Sequence, residues 1–398
     1  MQPDNPPTRA ASVAESAAPT PDLAVVGDLS AAPAAAGSRA IVSSATLSAS
    51  ASATTASTGA PDSMGPSPSR GVTAPDRGAG TTGASAWEQP AATPERNYVT
   101  GTSSGPESGT SGGMSAIAHN PAAAGQPTAA VDIAVIQFGP GTDVDANLAA
   151  LRAEVRAASE LGARVVVAPE YAMFAVTRLD ERVVAVAEPL TGPFVNGLRG
   201  IAAEFGVYLV AGVVEAPGGD QPADRIYNTL VAASPDAEFA AVYRKAHLYD
   251  AFGFLESDLV LPGPLEPPQT FTVDGVTFGM QTCFDLRFPE GCRRIAAAGA
   301  QVLLLPAQWI PGPGKVDQWT TLLRARAIEN TMYVAAADQC APRGAGSSMI
   351  VDPTGAVVAE LGEQAGLATA RIDLGHLAEV RTTNPSLSLR RYTIEPAP

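Results

Sequence analysis

A layered α/β domain is the fold class this sequence predicts, and it starts near residue 131 rather than at the first residue. Three observations carry this reading. Short apolar runs of strand length alternate with segments of helical spacing, Pro/Gly turns join some of those runs as hairpins, and the remaining runs are linked through helices. In order, VDIAVIQF (131–138) is a buried strand, and apolar residues at helical spacing follow from Asn147 to Leu161. ARVVVAP (163–169) is the second strand, VNGLRGIAAEFG (195–206) a helix closed by Gly206, and VYLVAGVV (207–214) the third strand. IYNTLVAAS (226–234) and AEFAAVYRK (237–245) form an antiparallel hairpin across a Pro-Asp turn. VTFGMQT (276–282), QVLLLPA (301–307) and MYVAAAD (332–338) continue the alternation, with helices over about 288–299 and 316–330. A second hairpin, GSSMIVDPTGAVVAEL (346–361), precedes the strand GLATARID (366–373). Two sheets packed face to face with helices outside fit this order, and so does one doubly wound sheet.

The 398 residues divide unevenly. Residues 1–128 are mostly Ala, Ser, Thr, Gly and Pro without an apolar period, so they are expected to be a disordered leader with no place in the fold. Met114 is an alternative start, and the working domain is 129–398. No export signal and no bilayer-length apolar stretch is present, which places the protein in the cytoplasm and off the membrane. A net charge of −15 argues against nucleic acid as a partner. Cys283, Cys292 and Cys340 are too few and too irregularly spaced for a disulfide framework, and the scattered histidines give no metal-ligand spacing.

Cys283 is the first candidate for chemistry. It lies in TCFDLRFPE (282–290), where a strand turns into a helix, and a helix-terminus field there is expected to lower its thiol pKa. Glu170 ends the second strand in APEY, at the edge where α/β sheets bind ligands. Lys245 ends AEFAAVYRK, and only two of the 25 basic residues are lysines, so this one is less readily dismissed as surface charge. Base, cation and thiol suit acyl transfer, with the ammonium holding an oxyanion. Glu256, eleven residues after Lys245 in an apolar segment, needs a partner if desolvated, and Lys245 can be that partner. His247 leaves a Cys-His pairing open. Trp309 and Trp319 follow a strand end, where an aromatic either lines a pocket or packs in the core.

Together, PE at 169–170, YRKAHLYD (243–250), FLES with LPG, TCFDLRFPE and RARAIEN resemble the nitrilase superfamily of carbon-nitrogen hydrolases. The resemblance covers roughly residues 131–393, and five motifs in order are specific where each alone is weak. It implies a four-layer αββα sandwich, with Glu170 as general base, Lys245 as oxyanion stabiliser and Cys283 as nucleophile. It also implies a supporting Glu256, an oxyanion-hole amide at Phe284, and a homodimer or larger homo-oligomer. Tyr171, His247 and Trp309 are then expected to meet the substrate, and no metal or organic cofactor is needed. KAHLYD and CFDLRFPE are most similar to the Nit branch, which acts on ω-amides of small 2-oxo acids or on deaminated glutathione, while nitrilases and carbamoylases share the triad. Phe284 stands where many relatives carry Tyr, and RRYTI (390–394) where many carry an acidic residue after the arginines, which bears on substrate. A non-catalytic scaffold and a redox sensor using Cys283, with Cys292 as its resolving thiol, are the competing classes.

Overall fold

A computed structural model describes residues 97–101 and 129–396. Two mixed sheets pack face to face. The first has the order β1 (Asn97–Gly101), β13 (Gly366–Asp373), β2 (Ala130–Gln137), β3 (Val165–Val167), β4 (Tyr208–Glu215), β5 (Tyr227–Ala233) and β6 (Phe239–Arg244). The second runs β12 (Val357–Glu360), β11 (Met349–Val351), β10 (Tyr333–Asp338), β9 (Val302–Ala307), β8 (Val276–Met280) and β7 (Thr270–Val273).

Strand alternation sets the layers. Ile133, Val135, Val165, Val167 and Val210 of the first sheet share one core with Phe278, Met280, Leu304 and Ala335 of the second. The intervening residues Ala134, Ile136 and Val166 face outward, onto Leu151 and Val155 of α1 (Val144–Glu160) and Leu198 of α3 (Pro193–Phe205). Leu303, Leu305 and Val334 likewise meet α4 (Pro289–Ala297) and α5 (Lys315–Asn330) through Ile295, Trp319 and Leu323. The result is the αββα sandwich, and a single doubly wound sheet is excluded.

Local chemistry fixes the ends. Asp143 caps α1 by accepting the Ala146 N–H (3.0 Å). Gly206 ends α3 at φ 65°, a left-handed position glycine adopts without strain. Both hairpins expected from Pro/Gly turns form, as β5–β6 and β11–β12. β7 was not among the expected strands, although Asp274 (φ 48°) and Gly275 (φ 85°) supply the positive-φ pair that joins it to β8. The short α2 (Arg182–Ala185) and the terminal α6 (Leu374–Thr383) are further additions.

Asn97–Gly101 pairs in parallel with β13, so this part of the leader has a place in the fold, contrary to the reading of 1–128 as wholly outside it. Its Tyr-Val-Thr core is strand-forming but too short to show a period. The rest of that leader lies outside the described residues.

Candidate active site

Three strand ends from two sheets meet at one place. β3, β4 and β6 point the same way, as do β8, β9 and β10. Glu170 lies just past β3, where its backbone runs against Gly212 of β4. A Cβ on Gly212 would come within 2.5 Å of the Tyr171 nitrogen and 2.7 Å of Glu170 Cα, so only glycine fits. Lys245 follows β6, and its carbonyl accepts the N–H of Gly263 (2.7 Å) from the LPG turn. Cys283 opens a five-residue 3-10 helix (Cys283–Arg287) after β8. Its φ of 47° and that of Tyr171, 54°, are left-handed values that non-glycine residues rarely hold. Such outliers persist where the surroundings over-determine them.

The polar groups form one buried network. Lys245 Nζ lies 3.0 Å from Glu170 Oε1 and 2.9 and 3.2 Å from the two Glu256 oxygens. Asn228 Nδ2 donates to both carboxylates, at 2.7 Å to Glu170 and 3.2 Å to Glu256. Glu256 also accepts from the Tyr171 hydroxyl (3.0 Å) and the Tyr249 N–H (2.6 Å). The second oxygen of Glu170 accepts the Gln308 N–H (2.7 Å), and Cys283 Sγ donates to the Gln308 carbonyl (3.6 Å). All four ionisable groups are buried: Glu170 is 1% exposed, Lys245 2%, Glu256 5% and Cys283 7%. Removing one member of such a set costs on the order of 3–5 kcal/mol, because the charge left behind is unpaired.

This burial decides protonation. Desolvation pulls the Lys245 ammonium down, but the Glu170 and Glu256 carboxylates outweigh it and hold its pKa well above the ordinary value. Burial, then the Glu170 charge, pushes the Cys283 thiol well up, although Lys245 opposes this. The expectation of a thiol pKa lowered by a helix terminus is therefore reversed. A single 3-10 turn has too little field to offset desolvation beside a carboxylate.

The network opens into a cavity of about 170 Å³. Glu170, Lys245, Glu256 and Cys283 line its floor, with Phe284 and Trp309 beside them. Arg178, Arg287 and Lys315 line its outer part, and each holds a neutral partner. Lys315 Nζ donates to the Tyr249 hydroxyl (3.1 Å), Arg287 to Gln318 Oε1 (2.7 Å) and Arg178 to the Gly253 carbonyl (3.0 Å). None of the three is in a salt bridge among the described residues. Burial and the neighbouring Arg287 lower the Lys315 pKa.

Of the residues expected to meet substrate, Tyr171 and Trp309 line this cavity. His247 does not. Its Nδ1 lies 2.7 Å from Asp285 Oδ1, its ring stacks on Phe288 at 3.8 Å, and it borders a separate cavity of about 390 Å³. The alternation that put it on the side of Lys245 fails because the chain leaves the sheet after Arg244. Trp319 is fully buried, 5.2 Å from Trp309, and belongs to the core. Cys292 is fully buried too, its thiol pushed up to about 12 by burial, which makes it a poor resolving thiol. Asn228, Gln308, Arg287 and Lys315 were missed. A buried Asn in the middle of a strand run, and the second of only two lysines, were the signals present. No group of three or more His, Cys, Asp or Glu that could hold a metal occurs among the described residues. No helix among them is long and apolar enough to cross a membrane.

A family model described as carbon-nitrogen hydrolase matches residues 132–382, which include every residue of this network. The chain belongs to the carbon-nitrogen hydrolase family. Within that family it is similar to the deaminated glutathione amidase of Homo sapiens, 36% identical over 273 residues, 65% of this chain and 82% of the relative. Among solved structures it resembles the C. elegans NitFhit protein, with TM-score 0.60, 30% identity and 68% of each chain covered. It also resembles a Nesterenkonia amidase mutant, with TM-score 0.56 and 28% identity, covering 66% of this chain and 95% of that one. In that amidase the acetamide moiety of fluoroacetamide is added covalently at the active-site cysteine. The nitrilase superfamily and its Nit-type branch, expected from five motifs, are thus the right placement, and the protein is an amidase-like carbon-nitrogen hydrolase.

Proposed function

We propose that this hydrolase cleaves the ω-amide of a small carboxylic or 2-oxo acid to carboxylate and ammonia through a thioester on Cys283. The observation that carries this reading is a single ammonium held between two buried carboxylates on the floor of the cavity that Cys283 lines. Glu170 takes the thiol proton, and the sulfur attacks the amide carbonyl carbon. Lys245 and the Phe284 backbone N–H stabilise the oxyanion. Glu170 returns the proton to the departing nitrogen, ammonia leaves, and the same carboxylate then activates the water that hydrolyses the thioester. Glu256, itself held by Tyr171 and Asn228, keeps the ammonium in place. Arg287, Lys315 and Arg178 favour a carboxylate at the substrate's far end, since these cations lack a carboxylate of their own. A homo-oligomer belongs to the same reading on the family resemblance, a cytoplasmic location on the want of an export signal, and 129–398 as the catalytic domain on the change in composition near residue 129.

Ammonia release from a panel of ω-amides, neutral amides, nitriles and carbamoyl compounds tests it. Anionic ω-amides are expected to lead the panel, and Cys283→Ala to abolish release while leaving the circular dichroism spectrum unchanged. Turnover retained in that variant sinks the mechanism, and a panel led by neutral amides or nitriles sinks the substrate class.

A further inference from the structure

Asp338 ends β10 fully buried and lines neither cavity described above. Its Oδ1 accepts two backbone N–H groups, from Trp309 (2.7 Å) and Gln339 (2.8 Å), while its own N–H donates to Ser348 Oγ (2.9 Å). Its Oδ2 has no hydrogen-bond partner. A carboxyl in dry core with one oxygen idle is costly, so its two backbone bonds need a purpose.

Both bonds lead to Glu170. The N–H of Gln308, the neighbour of Trp309, donates to Glu170 Oε2 (2.7 Å), and the carbonyl of the same Gln308 accepts from Cys283 Sγ (3.6 Å). On the other side, Gln339 Nε2 donates to the Glu170 carbonyl (2.9 Å). One oxygen of Asp338 thus ties together the two short segments that grip the carboxylate and the backbone of Glu170.

We infer that Asp338 is a positioning residue for the general base, aligning Glu170 with the Cys283 thiol through the turn at Gln308–Trp309. This rests on the reading of Glu170 and Cys283 as base and nucleophile. Burial pushes the Asp338 carboxyl well above the usual carboxylate range, and the Glu170 charge adds to this against the pull of the Trp309, Gln339 and Ala345 backbone N–H groups.

Steady-state kinetics on an ω-amide tests the inference. Asp338→Ala removes the shared acceptor and is expected to lower kcat by about 10- to 100-fold, the scale of a sub-ångström misplacement of a reacting group, with KM changed less than about three-fold. Asp338→Asn keeps an oxygen for both N–H groups and is expected to restore kcat to within about three-fold of the parent. If the alanine variant does not fold, Asp338→Ser, whose hydroxyl is too short to span both groups, replaces it with the same expectation. An unchanged kcat in the truncated variant, or an Asn variant as slow as it, overturns the inference. Cys283→Ala assayed alongside separates the two readings: turnover there removes the underlying mechanism, whereas its loss together with an unaffected Asp338→Ala removes only the role of Asp338.

Discussion

At the residue scale, burial outweighs every local field around the cysteines. Cys283 begins a strained 3-10 turn, yet desolvation and the Glu170 charge keep it a thiol at rest. In the proposed mechanism a protonated nucleophile needs a base at hand, and the Glu170 carboxylate beside the Lys245 ammonium fills that role. Cys292 rises to about 12 chiefly through burial, with Arg326 and Arg293 pulling it down and Glu329 pushing it up. The consequence for stability has a definite sign. Unfolded thiols titrate near about 8.5, so above that pH the unfolded chain sheds protons that the native chain keeps. The contribution is fully present below about pH 8.5 and is lost as pH rises toward the native value. Removing one such thiol is expected to save on the order of 2 kcal/mol of this loss by about pH 10.5. Cys292→Ala should therefore lose less Tm than the parent between about pH 7.5 and 10.5 in calorimetry; parallel declines contradict the assignment.

At the scale of elements, close approach matters more than propensity. β3 is three residues long and sits centrally between β2 and β4, and the turn beyond it delivers Glu170 only because Gly212 of β4 leaves room for the backbone. Gly212→Ala forces that turn outward, at about 1–3 kcal/mol of strain. It is expected to cost about 100-fold in kcat while lowering Tm only modestly, because the base moves away from the thiol. Wild-type turnover in this variant would show that the turn tolerates displacement. The strands, helices and Pro/Gly hairpins of the domain were legible because their periods and turn residues are local properties. β7 escaped because only its hairpin partner β8 was read as a strand, although Asp274–Gly275 marks the hairpin plainly. His247 was misplaced for a different reason: alternation holds only while the chain remains in the sheet, and β6 ends at Arg244.

Across the whole molecule, the layered α/β character could be read directly, but the number of sheets could not. Strands buried on both faces present the same apolar run whether a helix or a second sheet covers them. The family motifs supplied that distinction. The meeting of Glu170, Lys245 and Cys283 was legible because each lies at a strand end and strand ends collect at one rim, whereas Asn228, Gln308 and Asp338 make contacts 58, 138 and 29 residues apart in sequence. Lys315 was within reach, since the rarity of lysine that singled out Lys245 applied to it equally.

The central claim is that one thiol, served by Glu170 and Lys245, carries the acyl group. Titration with fluoroacetamide, followed by intact mass and peptide mapping against residual ammonia-releasing activity, tests it most directly. One acetamide equivalent on Cys283 is expected, with activity lost in proportion to its occupancy. Full modification of Cys283 with activity retained would contradict it.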